Sequence, residues 1–301
     1  MNGKCILSIC IPTYNRSKLI KELLFQLNEV NKVFFEVVVV NDGSFDGTKE
    51  CIESILKEIN YPLRVFHQEN KGRASALKKA IMAAEGDFVL IMDDDDRFIL
   101  SCLEQIPNDL EHDLKHLKSE REIAGLVYLA NNITDNKTIG SKFPHDNFVS
   151  NLIAIRADHD VKGDKKEVIN RSIIQDLLYT VPNEEKRMPT TVLWARIAKK
   201  YDVVFKNAAL IHKQYLSDGL TKNLIKNRIE NPVSAMMGYF EIITMPNNRF
   251  YSKAYMLRNS INYFRFYFHI KNKFSIFYFL FSGLMGWAAS IYDRAIIFFR
   301  K

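Results

Sequence analysis

Four consecutive carboxylates, Asp93-Asp94-Asp95-Asp96, end an apolar run from Phe88 to Met92 that opens after Glu85-Gly86-Asp87. A continuous apolar run bounded by turn residues is what a strand covered on both faces needs. Like charges this close raise one another's pKa unless a cation or hydrogen-bond donors neutralise them. A divalent cation is the simplest answer. Hard Mg²⁺ or Mn²⁺ takes carboxylate oxygen, commonly from one or two protein side chains, and leaves its other positions to phosphates and water. In open α/β sheets ligands lie beyond the carboxyl ends of the strands, where these acids fall. A solvated acidic loop is the alternative.

The elements that must position this cluster alternate. Ile6 to Ile11 reads as a strand stopped by Pro12, and from Ser17 a helix follows with Leu19, Ile20, Leu23, Leu24 and Leu27 on one face. Val37 to Val40 reads as a buried strand and Asn41 to Gly47 as a turn. A second helix carries Ile52, Ile55, Leu56 and Ile59. Leu63 to His67 makes a third strand, and Gly72 leads into a helix with Ala76, Leu77, Ala80, Ile81 and Ala84 inward. This order predicts an α/β fold, a largely parallel, Rossmann-like sheet of right-handed crossovers sandwiched by helices. Its carboxyl edge should gather Pro12 to Asn15, Asn41 to Ser44 and Asp93 to Asp96 into one cleft.

These residues carry a resemblance. Ser8 to Arg16 (SICIPTYNR), Val39 to Ser44 followed by Asp46-Gly47-Thr48, Asn70-Lys71-Gly72, and Ala84 to Asp87 leading to the acidic strand end resemble the ordered signature of family 2 glycosyltransferases with the GT-A fold. The resemblance covers about the first hundred residues, with patches later at 193–201 and 218–221. It implies a nucleoside-diphosphate sugar donor. Pro12, Thr13 and Tyr14 would line its base, with Asn15, Arg16 and Gly43 completing the two turns, and Asp42 would accept a hydrogen from the base. An aromatic face and a carboxylate suit those tasks, although a half-buried loop tyrosine and an Asx turn explain Tyr14 and Asp42 equally. Lys71 and Arg73, beside Gly72 at a helix start, suit base or diphosphate contact. The acids resemble the family's Asp-x-Asp motif. Asp95 is then the main metal ligand for Mn²⁺ or Mg²⁺, Asp93 a second metal or orienting carboxylate, and Asp94 a ribose contact.

The catalytic base of an inverting member stands at or near the start of a helix facing the acceptor. The matching segment here, Pro182 to Thr190, leads into a helix with Leu193, Trp194 and Ile197, and it has Thr190 where related sequences show Glu. The candidates are Glu185, then Glu184, then Asp176, each against the reading of an exposed charged loop. Ala124 to Ala130 reads as a strand, and 131–150 as a hairpin or a loop over the cleft. Val161 to Val168 with Arg171 resembles an acceptor-facing polar segment, and His212 is either a metal neighbour or a structural group.

Composition bounds the whole. The chain has 301 residues, 47% hydrophobic and 26% charged, with net charge +7. Disorder is excluded, and nucleic acid, an anionic membrane or phosphorylated substrates remain as partners. No stripe of arginines interleaved with exposed aromatics appears, so nucleic acid is not expected. Cys5, Cys10, Cys51 and Cys102 lack metal or disulfide spacing and read as reduced thiols. No secretory signal is visible in the first residues, and the expected location is the cytoplasm, peripheral at the inner face of the cell membrane. Residues 274–292 carry no charge, but serines and glycines dilute them and basic residues flank both ends. An aromatic, basic helix in the membrane interface fits better than a span, with a packed core helix as the alternative. The expected division is a catalytic domain at 1–220, its donor and metal half at 1–100 and its acceptor half at 101–220, then a helical extension at 221–301. By resemblance the acceptor is a glycan or lipid-linked glycan of the cell surface. A haloacid-type phosphotransferase and a noncatalytic binding module are the other function classes.

Overall fold

The computed structural model describes residues 5–182, 185–213, 224–246 and 251–270. The amino-terminal half follows the alternation of apolar runs and stripes. Strand β1 (Leu7–Thr13) is buried along its whole length, helix α1 (Ser17–Leu27) buries Ile20, Leu23, Leu24 and Leu27, and β2 (Phe35–Asp42) is again fully buried. Helix α2 (Thr48–Ile55), β3 (Leu63–Gln68), α3 (Arg73–Ala83) and β4 (Phe88–Ile91) complete the series. Strand β1 pairs parallel with both β2 and β4, and β2 with β3.

Pro12 does not stop the first strand, because it pairs in register with Val40. Pairing between β1 and β4 ends at Cys10 and Ile91, with Met92 N–H donating to the Cys10 carbonyl. The missing N–H of Pro12 therefore points toward the side where β4 has already turned away, and no ladder bond is lost.

Beyond β4 come β5 (Arg97–Phe98), α4 (Leu100–His116), β6 (Ile123–Asn132), β7 (Phe148–Ser150), α5 (Ala154–Ala157) and β8 (Lys165–Asn170). Then follow α6 (Arg171–Asp176), α7 (Thr191–Lys200), β9 (Asp202–Lys213), α8 (Leu224–Glu230), α9 (Pro232–Ile243) and α10 (Lys253–Tyr267). The nine described strands form one sheet ordered β3-β2-β1-β4-β8-β6-β9-β5, with β7 beside β9. Strand β8 enters antiparallel between β4 and β6, and β6 pairs parallel with β9. Six strands thus run one way and three (β5, β7 and β8) the other. The sheet is largely parallel, with the inserted β8 as the feature that a reading of the first hundred residues could not supply.

One apolar core lies on each face of the sheet. The first joins α3, α6 and α7 to the inner side chains of β1, β2, β4, β6 and β8, and it also takes in Ile242, Met245 and Tyr251. The described residues after 221 therefore pack on this core, α9 against α7 and α10 against α9. Among the described residues no helix is long and apolar enough to cross a membrane. The uncharged stretch at 274–292 lies outside the described residues.

Candidate active site

The three expected turns meet at the carboxyl edge of the sheet. Thr13 Oγ1 donates to Asp94 Oδ2 at 2.7 Å, Asn15 N–H donates to Ser44 Oγ at 2.8 Å, and Phe45 N–H donates to Asn15 Oδ1 at 2.9 Å. They border a cavity of ≈ 630 Å³ whose walls include Pro12, Thr13, Tyr14, Arg16 and Asp42. Gly72, Arg73 and Asp93 to Asp95 form its floor, and Lys186 to Thr191 close it from the carboxyl-terminal half. Tyr14 is 41% exposed, with its ring edge-on to Phe45 at 6.1 Å.

Asn15, Gly43 and Lys71 do not line the cavity; they shape its rim through the backbone. Gly43 has φ +72°, and a Cβ there would sit 2.6 Å from the Asn70 nitrogen. Gly72 has φ +87°, and a Cβ there would meet the Lys186 carbonyl oxygen at 2.0 Å, so only glycine lets the 185–190 segment close on this loop. Lys71 acts through its N–H, which donates to Asp42 Oδ1 at 2.9 Å, while Gly72 N–H donates to Oδ2 at 2.8 Å. Gln68 Nε2 adds a third bond to Oδ1 at 2.7 Å. Asp42 is therefore the anchor of the 70–72 loop and a cavity wall together. Replacing it with Ala leaves partly buried N–H groups without acceptors, at up to ~1–3 kcal/mol each. We expect Asp42→Ala to lower the urea midpoint and to weaken nucleoside diphosphate binding in a calorimetric titration. Unchanged values in both would contradict its placement.

The acidic cluster is neutralised by the protein itself. Arg16 reaches Asp95 at 2.6 Å and Asp94 at 3.1 Å, Arg73 reaches Asp93 at 2.5 Å, and Lys166 reaches Asp96 at 2.9 Å. Lys213 stands 3.9 Å from both Asp93 and Asp96. A cation is thus not required to hold the four acids together. Burial works to raise Asp93, but Arg73, then Lys166 and Lys213, bring it well below the usual carboxylate range. Burial pushes Asp94 up to about 6 against the Thr13 hydrogen bond and Arg16, and burial also raises Asp96 despite Lys166. Side-chain exposure separates the four: Asp93 is 28% exposed and Asp95 21%, against 8% for Asp94 and 0% for Asp96. Asp93 and Asp95, though paired with Arg73 and Arg16, are the two more open to a ligand.

A second cavity of ≈ 650 Å³ adjoins the first, sharing Arg73, Asp93, Thr190, Lys213 and Arg228. Strand β8 supplies Lys165, Lys166 and Glu167 to its wall. Side chains alternate along a strand, so Lys165 and Glu167 share one face. Glu167 makes no ion pair among the described residues, and burial raises its carboxyl to about 7 against Arg156 and Lys166.

The expected bases lie elsewhere. Both Glu185 oxygens accept helix-start amides, from Val233 N–H at 2.8 Å and Ser234 N–H at 2.7 Å, which fastens the 185–190 segment to α9. This carboxylate is spent on structure and lines neither cavity. Asp176 ends α6 on the exposed surface, away from both cavities. Glu184 lies outside the described residues. His212 meets Asn136 Oδ1 at 2.9 Å rather than the acids, and its neighbour Lys213 is the residue that reaches them. Arg171 binds the Gly86 carbonyl at 2.7 Å, a structural contact. Sequence reasoning missed Lys166, Lys213 and Arg228. The trace it had was the alternation Lys165-Lys166-Glu167 inside the polar segment, which places both signs of charge on a buried strand.

Comparisons with known proteins bear on this geometry. Residues 8–151 match the family profile described as Glycosyl transferase family 2. Glycosyltransferase GlyG of Streptococcus pneumoniae serotype 4 is 34% identical over 92 residues, 30% of each chain. The chain thus spans less than a third of that relative's length. The GalNAc(5)-diNAcBac-PP-undecaprenol beta-1,3-glucosyltransferase of Campylobacter jejuni is 22% identical over 244 residues, 80% of this chain and 74% of that protein. The crystal structure of S. aureus TarS 1-349 in complex with UDP-GlcNAc superposes with a TM-score of 0.63 at 20% identity, over 88% of this chain and 72% of that one. The shared architecture is the GT-A fold.

Proposed function

We propose that the chain, whose residues 8–151 match the family profile described as Glycosyl transferase family 2, moves a sugar from a nucleoside-diphosphate sugar to a hydroxyl of a glycan or lipid-linked glycan, with inversion. The observation that carries this reading is the meeting of Pro12 to Tyr14, Asp42 and Asp93 to Asp95 around one cavity of ≈ 630 Å³. A nucleotide base would lie against Tyr14 and Asp42, and the diphosphate toward Asp95, Arg16 and Arg73. The Campylobacter jejuni relative, whose name specifies a PP-undecaprenol-linked glycan, suits such an acceptor.

The residues present fit a divalent ion. Asp95 and Asp93 keep carboxylate oxygen at the cavity wall, the donor type that Mg²⁺ or Mn²⁺ prefers. Among the described residues no group of three His, Cys, Asp or Glu side chains is placed to hold a metal ion, so substrate phosphates would have to complete the set. Asp95 would hold it, with Asp93 second, and when bound it supplies charge stabilisation to the departing nucleoside diphosphate. Arg16 and Arg73, released from those carboxylates, would donate to the phosphate oxygens. Glu167, on the acceptor side and raised to about 7, is the carboxylate suited to take the proton of the attacking hydroxyl.

Incubating the full chain with a panel of nucleoside-diphosphate sugars and Mn²⁺ should release nucleoside diphosphate from one of them, at a rate raised by a glycan acceptor. Release from none would contradict the reading. Membrane association is the remaining part of the proposal. Leu257, Ile261, Phe264 and Phe268 are exposed at helical spacing along α10 and its end, beside Arg265. Co-sedimentation with phosphatidylglycerol vesicles checks it; a chain left wholly in the supernatant contradicts it.

A further inference from the structure

The cavity beside the donor cleft holds more positive charge than its own acids match. Four cations line it and not the donor cleft; Lys166 is taken by Asp96 at 2.9 Å, which leaves three, Arg156 on α5, Lys165 on β8 and Arg258 on α10. Among the described residues Arg156 donates to the carbonyls of Val161 at 3.4 Å and Gly163 at 3.1 Å. Lys165 Nζ donates to the carbonyls of Lys162 at 2.9 Å and Ile139 at 3.2 Å, and Arg258 lies over the Tyr255 ring at 5.6 Å. Among the described residues none of the three forms an ion pair. Of the carboxylates in the same wall, Asp93 is taken by Arg73 and Asp164 by Lys213 at 3.3 Å. Among the described residues of this wall, Glu167 is the carboxylate left against these three cations.

These cations sit close enough to feel one another. Burial, then Arg156, lowers Lys165 to about 8, and the Tyr255 hydroxyl lies in the field of both Arg156 and Arg258. Unmatched like charges in a partly enclosed cavity are costly unless an anion arrives, and two guanidinium forks favour phosphate geometry. A single carboxylate would still leave the cavity positive, whereas a diphosphate or several phosphodiesters would not. Trp194, Tyr239 and Tyr255 supply flat apolar faces in the same wall, which suit sugar rings.

We propose that this second cavity is the acceptor site and that the acceptor it takes bears phosphate, held by Arg156, Lys165 and Arg258. The inference rests on the glycosyltransferase reading and narrows its acceptor to a phosphate-bearing glycan, on a diphosphate lipid or on a soluble phosphate-containing chain.

The test is calorimetric titration of the full chain with inorganic pyrophosphate in EDTA, repeated with nucleoside diphosphate present in excess. Saturable binding is expected, undiminished by the nucleotide and weakened about tenfold or more in Arg258→Gln and in Arg156→Gln, since each removes a charge-assisted contact. Arg258 is exposed on its helix, so its variant keeps the fold even if loss of the Arg156 contacts loosens the 161–163 loop. Farnesyl diphosphate as a second probe separates the sources: tighter binding than pyrophosphate assigns a lipid carrier, and equal binding a soluble phosphate-bearing glycan. No saturable heat, equal affinity in Arg258→Gln, or displacement by the nucleotide would overturn the acceptor assignment while leaving a nucleotide-binding donor cleft intact. Pyrophosphate binding by a chain that binds no nucleoside diphosphate would overturn the donor reading as well.

Discussion

Glu167→Gln should lower sugar transfer by ~10²–10⁴-fold, the usual contribution of a general base, with nucleoside diphosphate binding unchanged. The amide keeps the shape of the carboxyl but cannot accept the hydroxyl proton. The same change should make the protein more stable at neutral pH. Glu167 is held near 7 in the folded chain against an ordinary 4.5, mainly by burial. The folded protein therefore keeps a proton that the unfolded chain has already released, and the stability linked to that proton is lost as pH rises from 4.5 through 7. Removing the ionisable group removes that loss, a gain of about 1–3 kcal/mol at pH 7.5. Urea melts of both proteins, with transfer rates measured from pH 5.5 to 8.5, check the pair of effects. The wild-type rate should climb through about pH 7 as the carboxyl ionises. A variant with near-normal transfer would remove Glu167 from the chemistry, and a variant that loses transfer only because it unfolds would assign it a structural task.

Asp95→Asn carries the second large effect. Asp95 is paired with Arg16 at a partly exposed position, so the loss of one charge should shift stability by less than about 1 kcal/mol. The metal dependence should disappear. In the wild type we expect Mn²⁺ to tighten nucleoside diphosphate binding, and in Asp95→Asn the affinity should be the same with and without the ion. Electron spin resonance of bound Mn²⁺ in the nucleotide complex gives a reading independent of activity. A folded variant with the wild-type enhancement would move the metal to another carboxylate.

The donor half of this architecture was legible because its signals are local. Val37 to Val40 is a buried β-branched run, and Ile20, Leu23, Leu24 and Leu27 recur at helical spacing, so strand, helix and strand follow from periodicity alone. The turns at the strand ends then had to share one edge, and Thr13 on Asp94 and Asn15 on Ser44 are that consequence. The acceptor half was illegible for the opposite reason. Lys166 and Lys213 meet the acid cluster from strands 70 and more residues away, and neither carries a periodic signature. Glu185 looked like a residue before the α7 helix, yet it caps α9, a contact across 48 residues that no spacing rule reveals. The four acids suggested an ion because a sequence shows neighbours along the chain only. Their neutralising arginines and lysines became visible once the fold placed them.

The central claim is that the cavity between the first, second and fourth strand ends receives a nucleoside diphosphate. A thermal-shift series with uridine, guanosine, adenosine, cytidine and thymidine diphosphates, each with and without Mn²⁺, tests it directly. One base should raise the melting temperature, by an amount equivalent to about 2.7 kcal/mol at a hundredfold excess over Kd, and more with Mn²⁺ than without it. The same nucleotide should fail to stabilise Asp42→Ala. Identical melting curves with all five nucleotides, in the presence and absence of the ion, would contradict the account.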